Sequence, residues 1–172
     1  MIIYTVGTFD LLHVGHLALL EYCKTLGDVL AVGVASDSVV SSYKPHEPVI
    51  PLEQRMEMLR ALRCVDLVIP YNELEYVSGC KEVKPDIFVI GENWGNKQHN
   101  LDVEAYLKVE GKKVIQVRYN PLTSSSKIKQ NVIAQSHRGK YSAQEIEITI
   151  HNKFLHSDSP KISEPLVIPQ LS

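Results

Sequence analysis

The feature that most constrains the fold is a regular alternation between short apolar runs and longer segments in which apolar residues recur at helical spacing. The apolar runs cover residues 2–6, 29–35, 67–69, 87–90 and 114–117, and the helical patterns cover 14–26, 51–62, 102–110 and 124–135. The run at 29–35 has no polar side chain, which indicates a strand covered on both faces. The alternation predicts an α/β fold, a doubly wound parallel sheet with helices on both faces.

Glycine and proline residues predict where several of these elements begin or end. Gly27 and Gly111 stand where the C-terminal cap of a helix would lie. Pro51 suits the first turn of a helix, because N–H groups in that turn have no acceptor within the helix and proline's lack of one costs nothing. Pro70 comes directly after the third apolar run, and we expect that strand to stop there.

The end of the chain loses the alternation. We predict a main domain over residues 1–136 and a partly ordered C-terminal extension over 137–172. Ile146, Ile148 and Ile150 alternate with polar residues, which favours a short strand, while a continuing helix fits the same stretch. We expect residues 137–156 to be ordered and the proline-containing residues 160–172 to be less well fixed.

Composition excludes several classes of function. The 172 residues carry a net charge of −2, which argues against a general nucleic-acid binder but leaves room for a local basic pocket. No apolar run approaches the roughly 18–20 residues of a membrane span. The N-terminus lacks a basic region followed by an apolar stretch, and three scattered cysteines form no CxxC pair. We therefore expect a cytoplasmic protein with reduced thiols and no membrane partner.

Three polar or glycine-containing motifs directly follow predicted strands. They begin at Gly7, at Gly91 and at Thr123. In a doubly wound sheet, ligands bind beyond the carboxyl ends of the strands, where the strand order reverses. We therefore expect the three motifs to meet at one cleft.

The most informative motif is GTFDLLHVGH at residues 7–16, which links the first strand to the first helix. Glycines there let the backbone approach a phosphate, and the start of the helix offers unpaired N–H groups. His13 and His16 face one region and can donate hydrogen bonds as charge builds up during displacement at phosphorus. The residues alone leave other roles open: capping or core histidines, or half of a metal site.

The motif matches the GTFDxxHxGH signature of the cytidylyltransferases, which belong to the HxGH nucleotidyltransferase superfamily. Further matching segments follow in the same order, at residues 49–55, 63–66, 89–94 and 124–129, so that the chain resembles this family over about residues 1–135. It looks closest to the glycerol-3-phosphate cytidylyltransferases. The resemblance implies a Rossmann-like homodimer that transfers CMP from CTP to a small phosphorylated alcohol and releases pyrophosphate. It also implies Mg²⁺ held mainly by the triphosphate, with no metal ligands from the protein.

The resemblance also implies roles for individual residues. His13, His16 and Lys44 would be catalytic. The nucleotide would be bound by residues of all three motifs, namely Gly7, Thr8, Phe9, Gly15, Gly91, Glu92, Trp94, Ser124, Ser125 and Ser126. Three further residues would either support the site without contacting the substrate or take no part in it: Asp10, Arg55 and Arg118.

Several of these residues have an alternative role. Lys44 is otherwise a solvated loop lysine, and Trp94 a core residue. Arg55 either supports the site or pairs with Glu53 or Glu57 on a solvated face. The serines cap a helix in any case, and one helix end can both be capped and bind phosphate.

The chain departs from the glycerol-phosphate members at points that bear on the acceptor. Asn93 replaces a second acid in the GDDW or GEDW motif. Tyr119 stands where an arginine is usual, with Arg118 one residue early, so either Arg118 reaches the site or that cation is missing. Val77 stands where a lysine is common.

These departures leave other functions open beside the first candidate, transfer to glycerol 3-phosphate for a surface-polymer precursor. One is CTP-dependent transfer to phosphocholine, phosphoethanolamine or a phosphorylated amino-acid derivative. A second is ATP-dependent adenylyl transfer. A third, disfavoured because both histidines are present, is a non-catalytic nucleotide-binding regulator.

Overall fold

Five parallel strands form one sheet in this computed structural model, which describes residues 1–92, 94–118 and 123–136. The strands are β1 (Ile2–Gly7), β2 (Val29–Ala35), β3 (Leu67–Tyr71), β4 (Ile87–Gly91) and β5 (Lys113–Val117). Their order across the sheet is β3-β2-β1-β4-β5. The order reverses between β1 and β4, which pair through Ile3 with Ile87 and Thr5 with Val89. This is the doubly wound, Rossmann-like sheet that the alternation predicted.

Six helices connect or follow these strands in the described residues. They are α1 (Val14–Thr25), α2 (Asp37–Tyr43), α3 (Leu52–Arg60), α4 (Val77–Val83), α5 (Gln98–Val109) and α6 (Ser125–Ser136). Side chains alternate along each strand, so that Ile3 packs with Leu20 of α1 and Leu59 of α3. The next residue, Tyr4, packs with Cys80 of α4 and Leu107 of α5. Both faces are therefore covered, and residues 30–35 of β2 are buried, as predicted.

One predicted strand end is wrong, and one short helix was not predicted. Pro70 does not stop its strand but lies inside β3, paired with Val34. Because β3 is an edge strand that pairs only with β2, it can accommodate proline, which has no N–H group to donate to a second neighbouring strand. The short helix α4 was not located by its periodicity. Its C-cap is Lys84, which has a left-handed φ of 52°.

The two predicted glycine caps differ from each other. Gly111 follows α5 with a φ of 67°, as a glycine cap does. Gly27 has no positive φ, and Leu26 is the C-cap of α1. A Cβ atom on Gly27 would lie 2.8 Å from the carbonyl oxygen of Met1, so this glycine is required by close packing. Ser124 accepts a hydrogen bond from the Lys127 amide at the start of α6, as predicted for a polar cap.

By its internal contacts the chain divides into two units, Met1–Lys129 and Gln130–Ser172. The predicted strand at 146–150 and the predicted ordered and loose segments of the extension lie outside the described residues. The boundary predicted at residue 136 stays a prediction. Within the described ranges, none of the helices has the length and apolar character needed to cross a membrane.

Candidate active site

The carboxyl ends of β1 and β4 open onto a cavity of about 560 Å³. The three sequence motifs meet there. The predicted site residues that line this cavity are Gly7, Thr8, Phe9, Asp10, His16, Lys44, Gly91, Trp94, Ser125 and Ser126. Topology explains the meeting, because parallel strands bring their carboxyl ends to the same edge of the sheet.

The loop between β1 and α1 has a strained backbone. Phe9 and Leu11 adopt left-handed φ values of 52° and 51° without being glycine. The Phe9 ring is buried and packs edge-on against the His16 ring, with 5.3 Å between centroids. A Cβ atom on Gly7 would lie 3.0 Å from that ring, so the small residue at the end of β1 leaves space for Phe9. The packing of Phe9 thus holds the loop against the first turn of α1.

The two histidines of the motif stack on each other. Their ring centroids are 3.8 Å apart with an 18° angle between the planes. His13 is the N-cap of α1, and its Nδ1 accepts a hydrogen bond of 3.1 Å from the Gly15 amide. In the neutral ring the proton is therefore on Nε2. The Nδ1 atom of His16 is buried and has no partner among the described residues.

Burial favours the uncharged form of both histidines. It lowers the pKa of His13, and it lowers the pKa of His16 to about 4 with the help of His13 and Lys44. Two neutral imidazoles can stack at this distance, whereas two imidazolium ions would repel each other. An anion in the cavity would raise both pKa values, because it favours the charged form of each ring.

Three lysines bring positive charge to the same cavity. Lys44 follows α2, and its Nζ donates a hydrogen bond to the Thr8 hydroxyl at 3.4 Å. Lys44 and Lys97 both stack on the Tyr43 ring, 5.5 and 5.6 Å from its centroid. Burial lowers the pKa of Lys44, and the charge of Lys129 lowers it further. Cations crowded in this way attract a polyphosphate.

Sequence reasoning missed Lys97 and Lys129, which line the cavity with the predicted residues. Lys129 lies four residues after Ser125 on α6, so the two share a helix face. The spacing from Ser125 could therefore have predicted that Lys129 faces the site. Lys97 precedes α5 and lies outside the helix predicted at 102–110, and nothing in its sequence neighbourhood distinguishes it from a solvated lysine.

Asp10 binds three neighbouring groups and holds the loop before α3. Its carboxylate accepts hydrogen bonds from the Val49 amide at 3.1 Å and the Ile50 amide at 3.0 Å. It also pairs with the Nζ of Lys129 at 2.8 Å. Burial acts to raise the pKa of Asp10, but the hydrogen bonds from Lys129 and the two amides outweigh it and lower that pKa. Asp10 is thus an ionised residue that organises the cleft wall.

Arg55 is buried, not on a solvated face. It is 1% exposed and donates to the carbonyl oxygens of Ile50, Thr8 and Ala35. It also pairs with Asp37 at the start of α2. Arg55 therefore holds the backbone of the β1–α1 loop from behind, whereas its suggested partner Glu57 pairs with Arg60.

The other end of the cavity is aromatic. Tyr71, Tyr76 and Trp94 line it, and the Tyr76 and Trp94 rings stack with 5.1 Å between centroids. Trp94 is half-buried and also packs on the core residue Phe88. The side chain therefore has both roles that were considered for it: it closes the core and lines the cleft.

Several predicted residues do not line the cavity. His13 and Gly15 lie next to it at the start of α1, and Ser124 is the exposed cap of α6. Glu92 is exposed after β4, and Arg118 is exposed after β5. Asn93 and Tyr119 lie outside the described residues, and the choice between Arg118 and a missing cation stays a prediction.

No group of three or more histidine, cysteine or carboxylate side chains that could hold a metal ion occurs in the part of the chain that the structure describes. Among the described residues that line the cavity, Asp10 is the carboxylate, and its oxygens are engaged by Lys129 and two amides.

Two relatives align with about half of this chain. A protein 46% identical over 89 residues is the FAD synthase of Methanohalophilus mahii, with 52% of this chain and 61% of that one aligned. The bifunctional protein HldE of Helicobacter pylori is 39% identical over 98 residues, which are 56% of this chain and 21% of HldE. The chain thus matches about three fifths of the first relative and one fifth of the second.

A solved structure shares the fold over a larger part. The lipopolysaccharide core biosynthesis protein of Thermoplasma volcanium is 31% identical, with a TM-score of 0.58 over 70% of this chain and 96% of that protein. The family model named cytidylyltransferase-like matches residues 4–146. This match includes the strained loop, the histidine pair and the lysines of the cavity. The chain therefore belongs to the cytidylyltransferase-like family, within the nucleotidyltransferase superfamily.

Proposed function

We propose that this protein transfers a nucleotidyl group from a nucleoside triphosphate to a small phosphorylated acceptor. The observation that carries the proposal is the stacked pair His13 and His16, of which His16 lines the same cavity as three lysines. An oxygen of the acceptor phosphate attacks the α-phosphorus, the bond to the leaving pyrophosphate breaks, and a diphosphate-linked product forms. No covalent bond to the enzyme is needed, so the residues act by positioning and by stabilising charge.

Each group has a part in this scheme. His13 and His16 donate hydrogen bonds to phosphate oxygens as negative charge grows in the transition state. Lys44, Lys97 and Lys129 bind the triphosphate, and the helix starts of α1 and α6 add backbone N–H groups. Lys129 would exchange part of its contact with Asp10 for phosphate. Mg²⁺ is supplied with the triphosphate and neutralises part of its charge.

CTP is the first nucleotide to test, and glycerol 3-phosphate the first acceptor, because the sequence motifs favour them. Phosphocholine, phosphoethanolamine and a phosphorylated amino-acid derivative are further acceptors. Location in the cytoplasm and the absence of nucleic-acid and membrane partners stay predictions.

A second candidate is adenylyl transfer from ATP to a flavin acceptor. Two observations favour it: the aromatic end of the cavity at Tyr71, Tyr76 and Trp94, and the likeness to FAD synthase. FAD contains an adenylyl group joined through a diphosphate to a flavin, so the same displacement at phosphorus would produce it.

Pyrophosphate release separates these candidates. CTP, ATP and UTP are each combined with glycerol 3-phosphate, the other phospho-alcohols and flavin mononucleotide, with the His16→Ala variant as a control. We expect one pair to react at least tenfold faster than the others. A tenfold preference for ATP would overturn the cytidylyl assignment, and no release with any pair would overturn nucleotidyl transfer to these acceptors.

A further inference from the structure

Two buried polar atoms at the aromatic end of the cavity have no partner among the described residues. They are the side-chain oxygen Oδ1 of Asn100 and the indole nitrogen Nε1 of Trp94. Asn100 is 2% exposed, lies in the first turn of α5 and lines the cavity with Trp94. Most buried polar groups in folded proteins are paired, so this donor and this acceptor call for an explanation.

The orientation of the Asn100 amide follows from its contacts. Its Nδ2 donates to the carbonyl oxygens of Trp94 and Gly95, the latter at 3.2 Å. A carbonyl can only accept, so the nitrogen must face the two carbonyls and Oδ1 must face away from them. Asn100 therefore holds the Trp94–Gly95 turn with one end of its amide and leaves the other end for a further hydrogen bond.

The surroundings restrict what can supply that hydrogen bond. Leaving such an atom buried and unpaired is unfavourable, because it has lost its hydrogen bond to water. The neighbouring Tyr71, Tyr76 and Trp94 rings offer flat apolar surfaces. A planar ring can stack on such surfaces while its edge forms hydrogen bonds. A compound that carries only hydroxyl groups, such as glycerol phosphate, would leave the aromatic surfaces unfilled.

We propose that Asn100 and Trp94 form a subsite for a planar heterocycle with an N–H group and a hydrogen-bond acceptor on its edge. Oδ1 of Asn100 accepts from the ring's N–H group, and Nε1 of Trp94 donates to a ring oxygen or nitrogen. The inference rests on the proposed function, which brings the heterocycle into the cavity. Either the base of the nucleotide or the ring of the acceptor presents this chemistry, and the experiment distinguishes the two.

Trp94 is the only tryptophan of the chain, so its fluorescence reports on this subsite without any need for turnover. The wild-type protein is titrated with CTP, ATP and flavin mononucleotide. Each is compared with an analogue that lacks the N–H group: the 2-pyrimidinone and purine riboside triphosphates, and 3-methylated flavin mononucleotide. We expect at least one parent compound to bind about 3–10-fold more tightly than its analogue, the effect of one hydrogen bond. The compound that shows this ratio identifies the source of the heterocycle.

The Asn100→Ala variant tests the contact itself. If Asn100 only held the Trp94–Gly95 turn, its loss would weaken parent and analogue equally, and the ratio between them would remain. We expect the ratio to fall to about one in Asn100→Ala and to persist in Gln98→Ala, a control at an exposed position of the same helix.

Three outcomes would overturn the subsite: equal binding of every parent and analogue to the wild type, a ratio unchanged in Asn100→Ala, or no binding of any parent. Pyrophosphate release tests the proposed function separately. Binding with the expected ratio but no release under any condition would remove the catalytic function and keep the subsite. Release without any ratio would keep the function and remove the subsite.

Discussion

At the scale of single residues, the two histidines are positioned by different contacts. His13 is fixed by the hydrogen bond from the Gly15 amide to its Nδ1, whereas His16 is fixed by packing between His13 and Phe9. The first ring therefore contributes to the stability of α1 as well as to the site. The second has a ring nitrogen without a partner among the described residues, and its replacement should affect the reaction more than the fold.

Replacing either histidine by alanine is expected to lower kcat by about 100-fold or more, the usual effect of losing one transition-state donor. His13→Ala should also reduce stability by about 1 kcal/mol through the lost cap. His13→Asn is the matched control, because asparagine can accept from the Gly15 amide and should restore the melting temperature without restoring kcat. Activity within tenfold of wild type in both alanine variants would contradict the mechanism.

The low pKa of His16 makes stability depend on pH. The folded-state pKa is about 4, against 6.5 for an ordinary histidine. Between these values the unfolded chain binds more protons than the folded protein, so stability rises with pH. The full contribution, roughly 2–3 kcal/mol, is present above about pH 6.5 and is lost as the pH falls toward 4.

Urea unfolding of the wild type and of His16→Gln between pH 4 and 7 measures this effect. We expect the wild type to lose more stability than the variant over this range, since glutamine does not titrate. Equal losses in the two proteins would show that His16 is not buried in its neutral form.

At the scale of secondary-structure elements, Arg55 joins α3 to three other parts of the fold. It reaches Thr8 in the β1–α1 loop, Ala35 at the end of β2 and Asp37 at the start of α2. The β1–α1 loop has a strained backbone, and the guanidinium group supplies a hydrogen bond that keeps it in place. The effect of this residue on the site is thus indirect.

Arg55→Met should lower the free energy of unfolding by about 3 kcal/mol or more, because it leaves buried carbonyl groups without donors. It should also raise the KM for the triphosphate, since Thr8 would lose its support. Chemical unfolding and steady-state kinetics check the two effects. Arg60→Met is the control: this arginine pairs with Glu57 on the surface, and we expect a change of less than about 1 kcal/mol. A similar small change in Arg55→Met would contradict the role of Arg55.

At the scale of the whole molecule, the sheet brings together segments that are far apart in the chain. The Ser125 hydroxyl donates to the Asp10 carbonyl over a separation of 115 residues, beside the ion pair between Asp10 and Lys129. The site is therefore complete only when the sheet and the start of α6 are both in place. Substitutions that loosen the packing of the sheet or of the start of α6 should therefore reduce activity even when the proposed catalytic side chains are intact.

Assembly and the C-terminal extension can be tested together. We expect a homodimer, in which the Ile146, Ile148 and Ile150 stripe is buried against the main domain or the partner subunit. Truncation after Gln135 should lower the melting temperature or weaken the dimer, because about 1.5–3 kcal/mol of burial free energy per isoleucine would be lost. Sedimentation and thermal unfolding of both proteins check this. A monomeric full-length protein refutes the dimer, and unchanged mass and melting temperature after truncation refute the role of the extension.

The architecture and the position of the chemical motif could both be predicted from local sequence patterns. Apolar runs such as residues 29–35 and the helical spacing of α1 are local patterns, and local patterns depend only on which backbone period can bury them. The left-handed cap at Gly111 and the polar cap at Ser124 follow from the same local rules. The motif at residues 7–16 was informative because its chemistry is contained in ten consecutive residues.

Only the tertiary structure decided which side chains surround that motif. Nothing near Arg55 in the sequence indicates that its guanidinium group is buried, because its partners come from three other segments. Lys97 and Asn100 likewise belong to the cavity only because β4 lies beside β1 in the sheet. The physical reason is that burial and hydrogen bonding depend on contacts between distant segments, whereas the periodicity of a sequence reports only on near neighbours.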